Sequence, residues 1–324
     1  MIHVRTILRT KEGDYTLDGQ LMFSGNNLID AFQHKLDTAI ARIKEFEPKD
    51  GYYLAFSGGK DSQVIYELSK MAGVKFDAHY NITTVDPPEL LKFMKTEYHE
   101  VIFEKPKKYR NFWELMIAKK LPPFRMQRYC CAEMKEGGGE GRFVITGVRW
   151  AESIRRRTTR TDVEYFAKGK GKKEIAFREL VYKNNDNDER RGMIESCVLQ
   201  GKFILNPIID WQDEDVWHFI NKYIKKHCQL YDEGFTRIGC IACPLAPNKQ
   251  MDDFRRWPTI YKKYMKTFSI MVNNLTREDK TWHNEYDLMA YWLDVSLKKM
   301  MEFDAEIKML VNNSQKLRKE KHEI

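Results

Sequence analysis

Long apolar runs are what this sequence most plainly lacks. No stretch of its 324 residues approaches the roughly 20 apolar residues of a membrane-spanning helix. Its first residues, Met1-Ile2-His3-Val4-Arg5, do not begin the apolar core of a secretory signal. With 31% charged residues and a mean hydropathy of −0.61, the expectation is a soluble, cytoplasmic protein with no membrane partner. Cysteine is also scarce. Six residues are too few for a disulfide framework, and in a reducing compartment their clustering suggests a metal site or sulfur chemistry. No internal repeat divides the chain. The net charge of +8 suits an anionic partner without naming one.

The most informative stretch is Ala55-Phe56-Ser57-Gly58-Gly59-Lys60-Asp61-Ser62. A short apolar run, 52–56, precedes it and reads as a buried parallel strand. Apolar residues at helical spacing follow over 63–70. A glycine-bearing turn between strand and helix lets the backbone approach a ligand closely. The N–H groups of the first helical turn favour an anion there. Lys60 adds a point charge suited to phosphate, and Ser57 and Ser62 offer hydroxyls. Asp61 either holds Mg²⁺ or takes the other end of a lysine contact. The Walker spacing is absent. A polar turn without a ligand is the plainer alternative.

Strands are expected at 52–56, 76–80, 101–103, 143–148 and 203–208, alternating with helices at 63–70, after Asp86, at 111–119 and at 213–226. Asp86 reads as an N-cap, Pro87 as the first helical residue and Glu89 as the partner of a capping box. This alternation predicts an α/β fold with a doubly wound parallel sheet, whose ligands sit at the carboxyl ends of the strands. Residues 1–50 are expected to add short strands at 4–8 and 15–17 and an amphipathic helix over 28–46. Residues 150–202 break the pattern with Arg155-Arg156-Arg157, Arg160, a Lys/Gly tract (168–173) and a polar run (184–191). They read as an excursion with a hairpin near 174–182. From 252 onward the chain reads as helices whose aromatics pack a core.

Four cysteines fall in two pairs, Cys130-Cys131 and Cys240-Ile241-Ala242-Cys243, the second ahead of Pro244. A structural Cys₄ zinc site fits the count, although adjacent cysteines depart from the usual spacing. A dithiol pair at Cys240 and Cys243 leaves Cys130-Cys131 unexplained. A [4Fe–4S] cluster uses all four. Unrelated buried thiols are the plain alternative, and Cys197 and Cys228 read as structural.

Ser57 to Ser62 resembles the pyrophosphate loop S-G-G-x-D-S of the N-type ATP pyrophosphatases, which move AMP from ATP onto a substrate oxygen. The cysteine pattern resembles the cluster signature of the adenylyl-sulfate and phosphoadenosine phosphosulfate (PAPS) reductases. So do Ile145-Thr146-Gly147-Val148-Arg149 with Glu152, Ser153 and Arg155, Asn206-Pro207-Ile208-Ile209-Asp210-Trp211 with Asp215-Val216-Trp217, and Tyr231-Asp232-Glu233-Gly234-Phe235. The resemblance implies the adenine nucleotide α-hydrolase-like fold of HUP type and a nucleotide held by Ser57 to Ser62 with Gly147 and Arg149. It also implies a cluster on Cys130, Cys131, Cys240 and Cys243. The implied organisation is an N-terminal segment 1–50, a reductase-like ATP pyrophosphatase domain 51–247 and a helical extension 248–324.

Two departures steer the functional expectation. The reductases resemble one another in a C-terminal Glu-Cys-Gly segment whose cysteine attacks sulfur, and this sequence has no cysteine after Cys243. They typically carry a degenerate loop, and here it is whole. The expected activity is therefore an ATP pyrophosphatase that adenylylates a substrate oxygen for sulfur insertion, with Lys60 and Asp61 catalytic and ATP, Mg²⁺ and a [4Fe–4S] cluster as cofactors. Sulfur-inserting relatives of the superfamily act on tRNA bases or the DNA backbone. Partners in this reading are a nucleic-acid substrate gripped by Arg155, Arg156 and Arg157, a sulfur donor such as a cysteine desulfurase, and a second copy of the chain. For those arginines a solvated face is the plain alternative, as it is for the lysine tract. Other readings are a sulfonucleotide reductase using an external thiol, and a redox-sensing nucleic-acid-binding protein without catalysis.

Overall fold

The computed structural model describes residues 7–10, 13–16, 31–135, 138–167, 175–176, 201–274 and 282–322. The lysine tract, the polar run and Cys197 lie outside them. Nine strands are present among the described residues: β1 (Ile7–Thr10), β2 (Gly13–Thr16), β3 (Tyr52–Ala55), β4 (Phe76–Asn81), β5 (Ile102–Glu104), β6 (Phe143–Ile145), β7 (Val163–Ala167), β8 (Ile175–Ala176) and β9 (Gly201–Leu205). β1 and β2 pair antiparallel. The other seven form one sheet in the order β5-β4-β3-β6-β9-β7-β8.

β4, β3, β6 and β9 run parallel, with Leu54 opposite Ala78 and Ile145, and Ile145 opposite Leu205. Parallel pairing needs long crossovers, and helices supply them. α1 (Ala31–Glu45) precedes β3, α2 (Lys60–Ala72) joins β3 to β4, and α3 (Pro88–Glu97) follows β4. The sheet is not parallel throughout. β7 lies antiparallel to both β9 and β8. The excursion after 150 thus returns to the sheet as an added pair of strands, a local connection that needs no helical crossover.

By contacts the chain forms two compact units. The first comprises residues 1–80, 100–102 and 139–227, and the second 81–99, 103–138 and 228–324. In the first, Tyr52, Leu54, Phe143, Ile145, Phe203 and Leu205 on the sheet are buried with Leu36, Ile43, Val64 and Leu68 on α1 and α2. Tyr52 meets Phe143 edge-on at 5.5 Å between ring centroids, a favoured aromatic geometry. The second unit holds α4 (Phe112–Lys119), α5 (Tyr129–Met134) and a run of C-terminal helices. Among its aromatics, Tyr264 stacks on Trp292 at 4.9 Å and meets Trp113 edge-on at 5.0 Å. The aromatic-rich helices do pack a core, as their spacing predicts.

One capping expectation fails. Pro87, not Asp86, is the N-cap of α3, and no side chain caps it. Asp86 turns back instead, accepting hydrogen bonds from the Thr83 backbone N–H at 3.2 Å and the Thr83 hydroxyl at 2.5 Å. Glu89 is likewise engaged elsewhere, accepting from the Trp257 indole at 3.1 Å.

Candidate functional site

In the first unit, β3 delivers Ser57 to Ser62 into the turn that opens α2. Gly58 has φ +71°, a left-handed conformation that glycine adopts at no steric cost. Helix α2 begins at Lys60, so Lys60, Asp61 and Ser62 form its first turn. The N–H groups of that turn have no partner within the helix, which makes it an anion-favouring end. The serines are engaged with the loop itself: Ser62 Oγ donates to the Gly59 carbonyl at 2.8 Å and lies 3.2 Å from Ser57 Oγ. Gln63 Nε2 reaches the Gly58 carbonyl at 3.1 Å and fixes the turn from below.

Charges converge above this turn. Arg149 is 1% exposed and reaches Asp61 Oδ1 through Nε at 2.7 Å and Asp213 Oδ1 through Nη2 at 2.6 Å. Its Nη1 donates to the Trp211 carbonyl at 3.2 Å. Lys60 Nζ stands 3.4 Å from Asp213 Oδ1 and 3.7 Å from Asp61 Oδ2. Burial works against the Arg149 charge, but Asp61 and Asp213 outweigh it and raise its pKa. Burial likewise works against a charged Asp213, yet the hydrogen bond from Arg149 and the charge on Lys60 hold its carboxyl below the ordinary range. Gly147 explains itself here. A Cβ on it would lie 2.9 Å from the Asp61 carbonyl carbon and oxygen, so only glycine lets β6 run on so close to α2.

The sequence pointed to Lys60, Asp61, Gly147 and Arg149, and these four stand together. It missed Asp213. The available signal was the acidic start of the helix after β9, Asp213-Glu214-Asp215. The arginine segment forms a short helix, α6 (Ile154–Thr159). Arg155 and Arg157 are exposed, whereas Arg156 is ion-paired with Glu152, whose carboxylate also accepts from the Arg149 backbone N–H at 3.1 Å.

The second unit brings the two cysteine pairs to one cavity of about 300 Å³. Cys130 and Cys131 lie on α5, and Cys240 and Cys243 on a turn ahead of Pro244. Phe112, Ile241 and Trp257 supply apolar wall, and Lys135 contributes a cation. The turn is pinned on three sides: Ile241 N–H donates to the Val85 carbonyl at 2.8 Å, Ala242 N–H to Asp253 at 2.8 Å, and Gln250 Nε2 to the Ala242 carbonyl at 3.2 Å. Ala242 itself sits at φ +55°, a conformation that costs a non-glycine residue about 1 kcal/mol or more.

The thiols feel one another. The Cys130 thiol is pushed far up by its hydrogen bond with Cys131, then by burial, then by Cys131, Cys240 and Cys243. Cys240 has polar neighbours, with Thr83 Oγ1 and Asp86 Oδ1 each 3.7 Å from its sulfur. Burial pushes its thiol up to about 11, and Lys135 opposes that shift. None of the four forms a disulfide. Among the described residues no three His, Cys, Asp or Glu side chains gather at metal-holding distance. Tyr264, read from sequence as core alone, also lines the cavity.

The model of the phosphoadenosine phosphosulfate reductase domain matches residues 51–246, more than half of the chain. The chain belongs to this family. An uncharacterized protein of Methanocaldococcus jannaschii is 25% identical over 78% of the chain and 60% of its own length. An adenosine 5′-phosphosulfate reductase of Geobacillus thermodenitrificans is 31% identical over 36% of the chain and 39% of its own length. The chain therefore spans 60% or less of these relatives. Among solved structures, a PAPS reductase from Candida auris in a phosphate complex is similar over 68% of this chain and 98% of its own, at 14% identity and a TM-score of 0.40. The sheet described above agrees with the α/β fold expected of the family. No helix among the described residues is long and apolar enough to cross a membrane.

Proposed function

We propose that this protein is an ATP pyrophosphatase that adenylylates a substrate oxygen as a prelude to replacing it with sulfur. One observation carries the reading. A complete Ser-Gly-Gly-Lys-Asp-Ser turn opens α2, and two buried cations, Lys60 and Arg149, meet at a single carboxylate oxygen beside it. Such cations at an anion-favouring helix start match the charge that develops on departing pyrophosphate.

In the proposed reaction, the substrate oxygen attacks the α-phosphorus of ATP. The bond from that phosphorus to the α–β bridging oxygen breaks, and pyrophosphate leaves with the electron pair. A sulfur nucleophile then displaces AMP, a far better leaving group than the original oxygen. Lys60 and the loop N–H groups stabilise the leaving pyrophosphate. Arg149 holds Asp61 and the turn in place.

Mg²⁺ does not fit as a ligand of Asp61 in this arrangement. One carboxylate oxygen is hydrogen-bonded to Arg149, and the other faces Lys60. A metal arriving on the nucleotide would keep phosphate and water ligands.

The cysteine cavity fits an iron–sulfur cluster by donor chemistry. Four thiols on one largely apolar cavity form the soft donor set that such clusters take. Cys130, Cys131, Cys240 and Cys243 are the residues that would hold it. When bound, it would supply a site for binding or relaying sulfur. Arg155 and Arg157 are the residues proposed to grip a polyanionic nucleic-acid substrate. A cysteine desulfurase is a suitable donor of sulfur.

Incubation with ATP, Mg²⁺ and candidate nucleic acid tests the reading, with release of pyrophosphate expected. Release of ADP, or no turnover of ATP, would sink it. The local similarity to adenosine 5′-phosphosulfate reductases favours a second reading, a reductase fed by an external thiol. Conversion of adenylyl sulfate to sulfite with a thiol reductant would support that alternative.

A further inference from the structure

We infer that Asp213 is a built-in occupant of the phosphate seat, holding Lys60 and Arg149 in the free protein and giving way to the phosphates of the nucleotide. The inference rests on the reading of Ser57 to Ser62 as a phosphate loop. Oδ1 of Asp213 lies 2.6 Å from Arg149 Nη2 and 3.4 Å from Lys60 Nζ. One carboxylate oxygen thus marks the point on which both cations converge, and an incoming phosphate oxygen is drawn to the same point.

Exposure decides which partner moves. The side chains of Lys60 and Arg149 are 7% and 1% exposed, whereas that of Asp213 is 59% exposed. The cations are fixed within the protein and the anion stands at its surface. A buried cation without an anion is costly. Asp61 supplies one counter-charge for the two cations, and Asp213 supplies the second. When it swings into solvent, Arg149 keeps Asp61 Oδ1 at 2.7 Å and the Trp211 carbonyl at 3.2 Å, so its remaining contacts persist. Pyrophosphate carries several charges against the one of Asp213, which is enough to displace the carboxylate yet leaves it competing for the seat.

Asp213 should therefore weaken binding of phosphate ligands and speed release of the pyrophosphate product. The opposite expectation follows if Asp213 instead helps to bind the metal on the nucleotide, since its removal would then cost affinity.

The test is calorimetric titration of the full chain with inorganic pyrophosphate in the absence of divalent metal, and separately with ATP and Mg²⁺. Wild type, Asp213→Ala, Asp213→Asn and Lys60→Ala are compared. Asp213→Ala should bind pyrophosphate at least about fivefold more tightly, the gain from removing one like charge roughly 4 Å from the ligand even in water-like surroundings. Asp213→Asn should fall between it and wild type, and the gain should shrink as salt rises. The asparagine variant keeps the side-chain shape and decides the matter should the alanine variant fold poorly. Unchanged or weaker binding by the Asp213 variants, with Lys60→Ala still impairing wild-type affinity, would overturn this inference and leave the loop reading standing. Binding indifferent to Lys60, or none by any form, would overturn both.

Discussion

The loop of the first unit and the cavity of the second are built from opposite materials. At the loop, two cations and two carboxylates lie within hydrogen-bond or ion-pair distance of one another, and buried charge is compensated inside the protein. In the cavity, four thiols share largely apolar walls with Lys135, and each thiolate formed would raise the cost of the next. The first arrangement suits an anion that would replace the Asp213 carboxylate, as inferred above. The second becomes comfortable with thiolates only when a cationic centre joins them. In the proposed reaction, adding AMP and handling sulfur would make separate electrostatic demands, and each compact unit would meet one of them.

The sharpest way to break this contrast is steric. Gly147→Val places a β-carbon where the Asp61 backbone lies, 2.9 Å away. The loop must shift, and nucleotide binding should fall below detection by calorimetry. Iron loading in the second unit should persist. Loss of both together would mean that the variant unfolds more than its loop.

The converse variants follow. Cys130→Ala or Cys243→Ala should lose most of the iron and acid-labile sulfide, near four of each per chain in fully loaded, anaerobically purified protein. ATP affinity should stay within about twofold, because the loop's charges are compensated locally. Stoichiometric zinc without labile sulfide, in protein never exposed to air, would replace the cluster with a structural metal.

Lys60→Ala isolates charge from geometry. It leaves the turn and the cavity intact but removes a cation from the pyrophosphate seat. The expected loss is on the order of 3 kcal/mol in transition-state stabilisation, a hundredfold or more in the rate of pyrophosphate release. Full activity on the true substrate would make the loop a relic and favour the reductase reading.

What sequence conveyed about the two regions also differs. The loop was legible because its six residues are contiguous and their strand–turn–helix setting is local. Arg149 and Gly147 came from motif resemblance, not from spacing. Asp213 stayed hidden because its meaning lies in a contact across the fold, and an acidic helix start is commonplace. Asp86 misled for a related reason. Its sequence context is that of a cap, but the Thr83 hydroxyl and N–H compete for the same carboxylate and win. Tyr264 shows the limit of periodicity, since helical spacing marks a buried face without saying whether that face meets core or cavity. The antiparallel β7 was obscured by the basic residues around it, where strand pairing overrides a polar local pattern.

The smallest expected effect concerns α6, whose three arginines the sequence could not separate. The structure separates them. Arg156 is tied to Glu152, so replacing it would disturb the backbone around Arg149 and confuse the result. Arg155 and Arg157 are exposed and are the right pair to change. If they contact a nucleic-acid backbone, the double variant Arg155→Ala/Arg157→Ala should weaken binding across sequences rather than at one site. The slope of log affinity against log salt should flatten by about 0.9 for each phosphate left unneutralised on a duplex, or about 0.7 on a single strand. Filter binding with duplex and single-stranded oligonucleotides over a salt series reads both quantities. ATP affinity in the same samples should change little, because the seat formed by Lys60 and Arg149 is untouched. An unaltered slope would make these arginines a solvated face, and the polyanion would have to be sought elsewhere on a chain whose net charge is +8.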